Sequence, residues 1–266
     1  MNHLIIGQGS IGKDVAIALN RLGQSVVGMA RTPKTYPDGV GVRFWQKDAL
    51  TLIAGDVADF DVIAIIITPQ DDKDRVKAYQ NSYFAVCQHI AGLGFGGKVV
   101  FISSTSVYGE NAGEWVDELT KPNPTTPTAK VLLTAEKALT DTYGVRATII
   151  RPSGIYGKSN CLIELAKSAH TAGVPSHHYA NRIHHDDLVF VIVRVMMSDD
   201  PKSVYIVSDT KPATLADVMG FICQEQGFIP PAIMPSDLTG KRIRGNVDEW
   251  LTVKSYRQGY ARSFSK

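Results

Sequence analysis

The chain of 266 residues has only three cysteines, Cys87, Cys161 and Cys223, far apart and without a Cys-x-x-Cys pair. That excludes a disulfide framework and a cysteine zinc site, and it fits reduced thiols. Long apolar runs are missing too. The longest, Leu188 to Met197, is interrupted by Arg194 and is too short to span a bilayer. No block of Lys and Arg occurs and the formal net charge is only +2, so neither nucleic acid nor a membrane is expected as a partner. No basic, apolar leader with a cleavage site precedes the first strand, and a cytoplasmic location is expected. A Gly-x-Ser-x-Gly elbow is absent, which argues against a covalent serine hydrolase. Hydrophobic content of 44% and charged content of 20% are ordinary for a folded protein and speak against disorder.

What is there begins with Leu4-Ile5-Ile6, followed by Gly7-Gln8-Gly9-Ser10-Ile11-Gly12 and a helical pattern over Lys13–Leu22. Between strand and helix, this Gly-x-Gly-x-x-Gly reads as a dinucleotide-binding fingerprint. Gly7 permits the tight turn, Gly9 lets the backbone approach a pyrophosphate, and Gly12 lets helix and strand pack closely. The amides of Ser10 and Ile11 open the helix, where the dipole favours negative charge.

Strands and helices then alternate. Gln24–Met29, Val42–Trp45, Asp61–Thr68, Lys98–Ser103 and Arg146–Arg151 read as further strands, and Asp74–Leu93 and Ala129–Tyr143 as helices. Such alternation predicts an α/β fold of the Rossmann type, a doubly wound parallel sheet with helices on both faces. Residues 1–151 are expected to form the dinucleotide-binding domain. Residues 152–266 are expected to form a small C-terminal substrate-side part, with 182–209, including helix Asp186–Met197 and strand Val204–Val207, packing back onto the main body. Thr214–Gln226 reads as one more helix.

The end of the second strand bears on the cofactor. An acidic residue about 20 residues past the glycines would bond the ribose 2′-hydroxyl of NAD. Here the segment reads Gly28-Met29-Ala30-Arg31-Thr32, without an acid. Arg31, followed by Thr32, offers a planar cation suited to a 2′-phosphate, so NADP is expected over NAD. Asp48 is a candidate acceptor for the adenine amino group, or a solvated aspartate.

Further along, Phe101-Ile102-Ser103-Ser104-Thr105-Ser106-Val107-Tyr108-Gly109 resembles the Ser-Ser-x-x-Val-Tyr-Gly segment of extended short-chain dehydrogenases/reductases, the NAD(P)-dependent epimerases and dehydratases. Arg151-Pro152-Ser153-Gly154-Ile155-Tyr156-Gly157 resembles their Arg-Pro-x-x-x-Tyr-Gly, and Ile183-His184-His185-Asp186-Asp187-Leu188 their Ile-His-x-Asp-Asp-Leu. The resemblance implies an oxidoreductase, epimerase or dehydratase acting on a small carbonyl, hydroxyl or sugar-like substrate, and often a homodimer. It implies that Ser104 contacts the substrate oxygen, that Lys130 binds the nicotinamide ribose, and that Thr68, Pro69, Pro152 and Ile155 lie along the cofactor. It makes Tyr156, His178 and Arg182 candidate substrate contacts.

One departure is chemical. The family's tyrosine stands four residues before that lysine, and here the position is Thr126. None of the ten tyrosines has a lysine four residues later. A phenol can be drawn toward neutrality by a cation, whereas a threonine hydroxyl does not titrate in that range. The glycine spacing also differs from the extended pattern, so the chain resembles atypical members. Tyr108 is then a candidate acid or a packing residue, Ser104 a substrate contact or a turn cap. A non-catalytic NADP(H) sensor is the alternative. His177, His178, His184, His185, Asp186 and Asp187 crowd one stretch, but adjacent histidines point apart and no metal site is expected.

Overall fold

The computed structural model describes residues 1–69, 73–158 and 161–264. The chain divides into two compact units. One comprises Met1–Val107, Pro124–Arg151 and Val189–Tyr205, the other Tyr108–Asn123, Pro152–Leu188 and Ile206–Lys266. This differs from a single boundary at residue 151 with 182–209 returning. Residues 108–123 group with the later segments because Ala112–Val116 pairs in parallel with Gly240–Ile243. The returning stretch is shorter, Val189–Tyr205.

The main sheet has seven strands: β1 (Asn2–Ile6), β2 (Ser25–Ala30), β3 (Arg43–Gln46), β4 (Val62–Ile65), β5 (Lys98–Ile102), β6 (Ala147–Pro152) and β7 (Val204–Val207). Their order is β7-β6-β5-β4-β1-β2-β3. The pairings from β6 across to β3 are parallel. Strand order therefore reverses at β1, which pairs with β2 on one side and β4 on the other. In such sheets ligands bind beyond the carboxyl ends of the strands at this switch point. All of β4 and residues 3–6 of β1 are buried, as expected for strands covered on both faces. His3 lies among them, and burial pushes its imidazole down to about 4, so it is neutral at pH 7.

Helix α1 (Ser10–Arg21) buries Gly12, Val15, Ala16 and Leu19, one face at helical spacing. Residues 75–92, expected as one regular helix, are interrupted. Asp74 caps Arg75–Tyr79, a wide π turn covers Gln80–Phe84, and α geometry resumes at Ala85–Gly92. Within the turn the Ser82 hydroxyl donates to the Ala78 carbonyl at 2.6 Å, competing for the acceptor that a regular helix gives to an amide. Helix Pro127–Tyr143 starts from a Thr126 cap with Pro127 in the first turn.

The second unit has its own core, which includes Tyr156, Val218, Met219, Ile222, Tyr256 and Tyr260. Around it pack helices Cys161–Ala172, Leu215–Gln226 and Tyr256–Phe264. Helix Leu215–Gln226 begins with a Thr214–Asp217 capping box, and Gly227 in the left-handed region ends it. The first and last of the three helices were not anticipated, because polar and charged residues interrupt their apolar pattern and Gly259 interrupts the last.

Candidate functional site

The glycine turn after β1 is shaped by close approaches. Gly7 has φ +98°, and its amide donates to the Met29 carbonyl at 2.9 Å. A Cβ at Gly7 would sit 2.1 Å from the Ile66 carbonyl oxygen, and one at Gly12 would sit 2.0 Å from the Gly7 oxygen. Both positions exclude any side chain. Gly9 is different. It occupies the N-cap of α1, and nothing lies within 4 Å of where its Cβ would be. No side chain caps α1 and no acidic residue stands in its first turn. Among the described residues no side chain accepts from the amides that open the helix, and that leaves them and the dipole end suited to an anion.

This turn borders a cavity of about 550 Å³. Of the residues expected along a cofactor, Gly7, Gly9, Arg31, Thr32, Asp48 and Thr68 line it. Ser10 and Ile11 open the helix, Gly12 is buried beneath the turn as a packing residue, and Pro69 follows Thr68. The Asp48 carboxylate accepts from the Leu50 amide at 2.9 Å, so it also caps a short turn. The lining includes residues that sequence reasoning did not single out: Gln8, Lys34, Asn81 and Ser82. Gln8 stood at a variable motif position and Lys34 in a loop, so only position reveals them. Cations at the rim divide into two kinds. Lys47 is paired with Asp56 at 2.6 Å, and that pairing holds the Asp56 carboxyl below the usual range. Arg31 and Lys34 are exposed, and no ion pair holds either among the described residues.

At the end of β5, Ser103 is buried and donates to Glu136, which also takes a two-pronged grip from Arg151. The next residue, Ser104, accepts the Ser106 amide at its Oγ, 3.1 Å away. It caps that turn, and its own O–H remains a donor. Lys130 is exposed in the first turn of the helix that carries Glu136. Thr126, four residues before Lys130, accepts the Ala129 amide at 3.3 Å and serves as the helix cap.

The remaining candidates lie in the second unit. Pro152 is buried, and Ile155 is exposed on the short strand Gly154–Tyr156. Tyr108 is 2% exposed, the placement of a packing residue, and its carbonyl accepts from the Lys241 ammonium. Tyr156 corrects the expectation of a substrate contact. Its hydroxyl donates to the Ser255 carbonyl at 3.3 Å, its ring lies 4.8 Å from that of Tyr260, and Gly259 leaves the room it fills. Desolvation there keeps the phenol protonated. His178 is fixed to Thr239 at 3.0 Å. The Arg182 carbonyl accepts the Asp209 amide at 2.7 Å, while Arg182 Nε and Asp209 Oδ2 are buried without a hydrogen-bond partner among the described residues. Asp187 lies in the first turn of His185–Met197, where its carboxylate accepts from the Thr252 and Val253 amides. Among the described residues no group of three or more His, Cys, Asp and Glu side chains is placed to hold a metal ion.

Comparison with known proteins gives a consistent result. A sequence model of the NAD dependent epimerase/dehydratase family matches residues 4–207. Protein YeeZ of Escherichia coli K12 is 28% identical over 255 residues, covering 89% of this chain and 88% of YeeZ. Among solved structures, a Methylobacillus flagellatus protein described as an NAD-dependent epimerase/dehydratase is 26% identical, with TM-score 0.78 and coverage of 99% of this chain and 97% of that one. A UDP-glucuronic acid 4-epimerase from Bacillus cereus, solved with NAD, shares the fold at TM-score 0.77 and 17% identity, covering 100% of this chain and 96% of that one.

Proposed function

The chain belongs to the NAD dependent epimerase/dehydratase family, and from that premise we propose that it is a nicotinamide-dinucleotide enzyme that prefers NADP and acts on the hydroxyl or carbonyl of a small or sugar-like molecule. One observation carries the reading. An uncapped helix start and an open glycine, Gly9, border the same cavity as two unpaired cations, Arg31 and Lys34.

The residues fit a dinucleotide. The amides of Ser10 and Ile11 would hold the diphosphate, since Gly9 adds no methyl group in the way. Arg31 and Lys34 would hold a ribose 2′-phosphate, and no aspartate or glutamate stands in Gly28-Met29-Ala30-Arg31-Thr32 at the end of β2, where an acid would favour a 2′-hydroxyl. When bound, the nicotinamide supplies reversible hydride transfer. Ser104 would donate its free O–H to the substrate oxygen, and Lys130 would supply a cation near the nicotinamide ribose. Thr126 supplies no proton as a general acid, because its hydroxyl does not titrate near neutrality. That missing acid supports a second reading, an NADP(H)-binding sensor without turnover.

The two readings separate in one experiment. Titration calorimetry with NADPH and NADH comes first, followed by absorbance with a panel of sugar nucleotides and small carbonyls. Tighter NADPH binding with turnover supports the enzyme. Tight binding with no turnover across the panel supports the sensor. Absence of heat with both cofactors defeats the two together.

A further inference from the structure

The loop between β2 and β3 carries both free cations of the rim, yet it is exposed at nearly every position from Arg31 to Gly39. Tyr36 is the exception, half-buried. Its hydroxyl donates to the Gln8 Oε1 at 2.7 Å, across 28 residues of sequence. Gln8 is buried inside the glycine turn, where its Nε2 donates to the Ile5 and Gly7 carbonyls, each at 3.2 Å. Its amide thus uses both ends, bracing the turn from beneath and receiving the loop.

The site is built for this contact. A Cβ at Gly28 on β2 would lie 2.1 Å from the Tyr36 hydroxyl and 2.7 Å from the Gln8 side chain. Only glycine leaves that space, although Gly28 lies in a strand, where glycine is ordinarily unfavourable. Lys13 of α1 places its ammonium 6.0 Å from the Tyr36 ring centre. Burial raises the Tyr36 phenol to about 12, so it stays a donor at neutral pH. Pro33 and Pro37 stand on either side of Lys34-Thr35-Tyr36 and restrict the backbone there.

We propose that Tyr36, latched to Gln8, is a specificity-determining positioning residue that holds Arg31 and Lys34 at the rim to receive an adenosine 2′-phosphate. The latch rests on the NADP reading and deepens it. It does not touch the ligand. It fixes the loop, so that two flexible cations are ordered before the ligand arrives and less freedom is lost on binding. The glycine turn and the loop are then one device, in which the motif that receives the diphosphate also sets where the second phosphate lies.

The test uses the full-length protein with two probes, adenosine 2′,5′-bisphosphate and adenosine 5′-monophosphate, by calorimetry. The wild type should bind the bisphosphate more tightly. Tyr36→Phe keeps the ring and removes the hydroxyl. It should weaken the bisphosphate about fivefold, the scale of one lost hydrogen bond, and leave the monophosphate nearly unchanged. In an Arg31→Ala/Lys34→Ala background the same change should have almost no effect, because the groups it positions are gone. Thermal unfolding confirms that each variant is folded. Equal weakening of both probes by Tyr36→Phe, or an undiminished effect in the double-alanine background, overturns the latch while leaving the NADP reading in place. A wild type that does not distinguish the probes overturns the NADP reading, and the latch with it.

Discussion

Arg151 grips both oxygens of Glu136, with Nη2 to Oε2 at 2.5 Å and Nε to Oε1 at 3.1 Å, and both side chains are buried. Ser103 donates to the same carboxylate. The three groups join the end of β5, the helix bearing Lys130, and the end of β6, so they set the spacing of the candidate catalytic elements within the first unit. Such pairs cost desolvation to bury, and removal of one partner leaves the other stranded. Glu136→Ala should therefore destabilise by about 3–5 kcal/mol, and Glu136→Leu/Arg151→Met should lose less than Glu136→Ala. Urea unfolding of the two variants checks this, and a double variant as unstable as Glu136→Ala would count against it.

The glycines of the turn should separate fold from binding. Gly9→Ala meets no atom and needs no unusual φ, so unfolding should shift by no more than about 0.5 kcal/mol. Its methyl group projects where a diphosphate would pass, and most dinucleotide affinity should be lost. Gly12→Ala drives a methyl group against the Gly7 carbonyl and should cost about 1–3 kcal/mol in stability. Calorimetry and urea melts on both variants would show the contrast, and intact NADPH affinity in Gly9→Ala would contradict the binding geometry.

Ser104→Ala should lower turnover by about a hundredfold, as expected for loss of a donor to a reacting oxygen. The NADPH dissociation constant should hardly change. Parallel loss of turnover and cofactor affinity would mean that Ser104 serves only the turn it caps at Ser106.

Asp209 gives a pH dependence. Burial raises its carboxyl to about 7, and Oδ2 has no hydrogen-bond partner among the described residues. In the unfolded chain the same group loses its proton near pH 4, at about 3.9. Between these values the native state holds more protons, so its stability contribution is full below the unfolded value and is lost as pH rises through about 7. Asp209→Asn removes that titration. Going from about pH 5 to about pH 8, the wild type should lose stability relative to the variant. Parallel urea midpoints for the two proteins across this range would refute the assignment.

Much of the first unit was legible because its signals are local. β1, the glycine turn and α1 follow one another within 21 residues, and the apolar run of β4 announces a strand covered on both faces. The cap at Thr214 and the helix after it were readable for the same reason. What escaped was non-local or weakly patterned. Ala112–Val116 alternates poorly and finds its partner, Gly240–Ile243, more than a hundred residues later. Tyr156 stands in a family-like motif, but only packing against Tyr260 and Gly259 reveals it as core.

The order of residues alone determined a parallel α/β sheet and a glycine turn opening onto an uncapped helix start, since turn geometry, helix caps and apolar periodicity act over a few residues. Tertiary structure decided which groups meet: Tyr36 with Gln8, Arg151 with Glu136, Asp187 with the amides of Thr252 and Val253. Those pairings depend on chain segments brought together by burial of the core, and no local rule specifies which polar group will be left facing which.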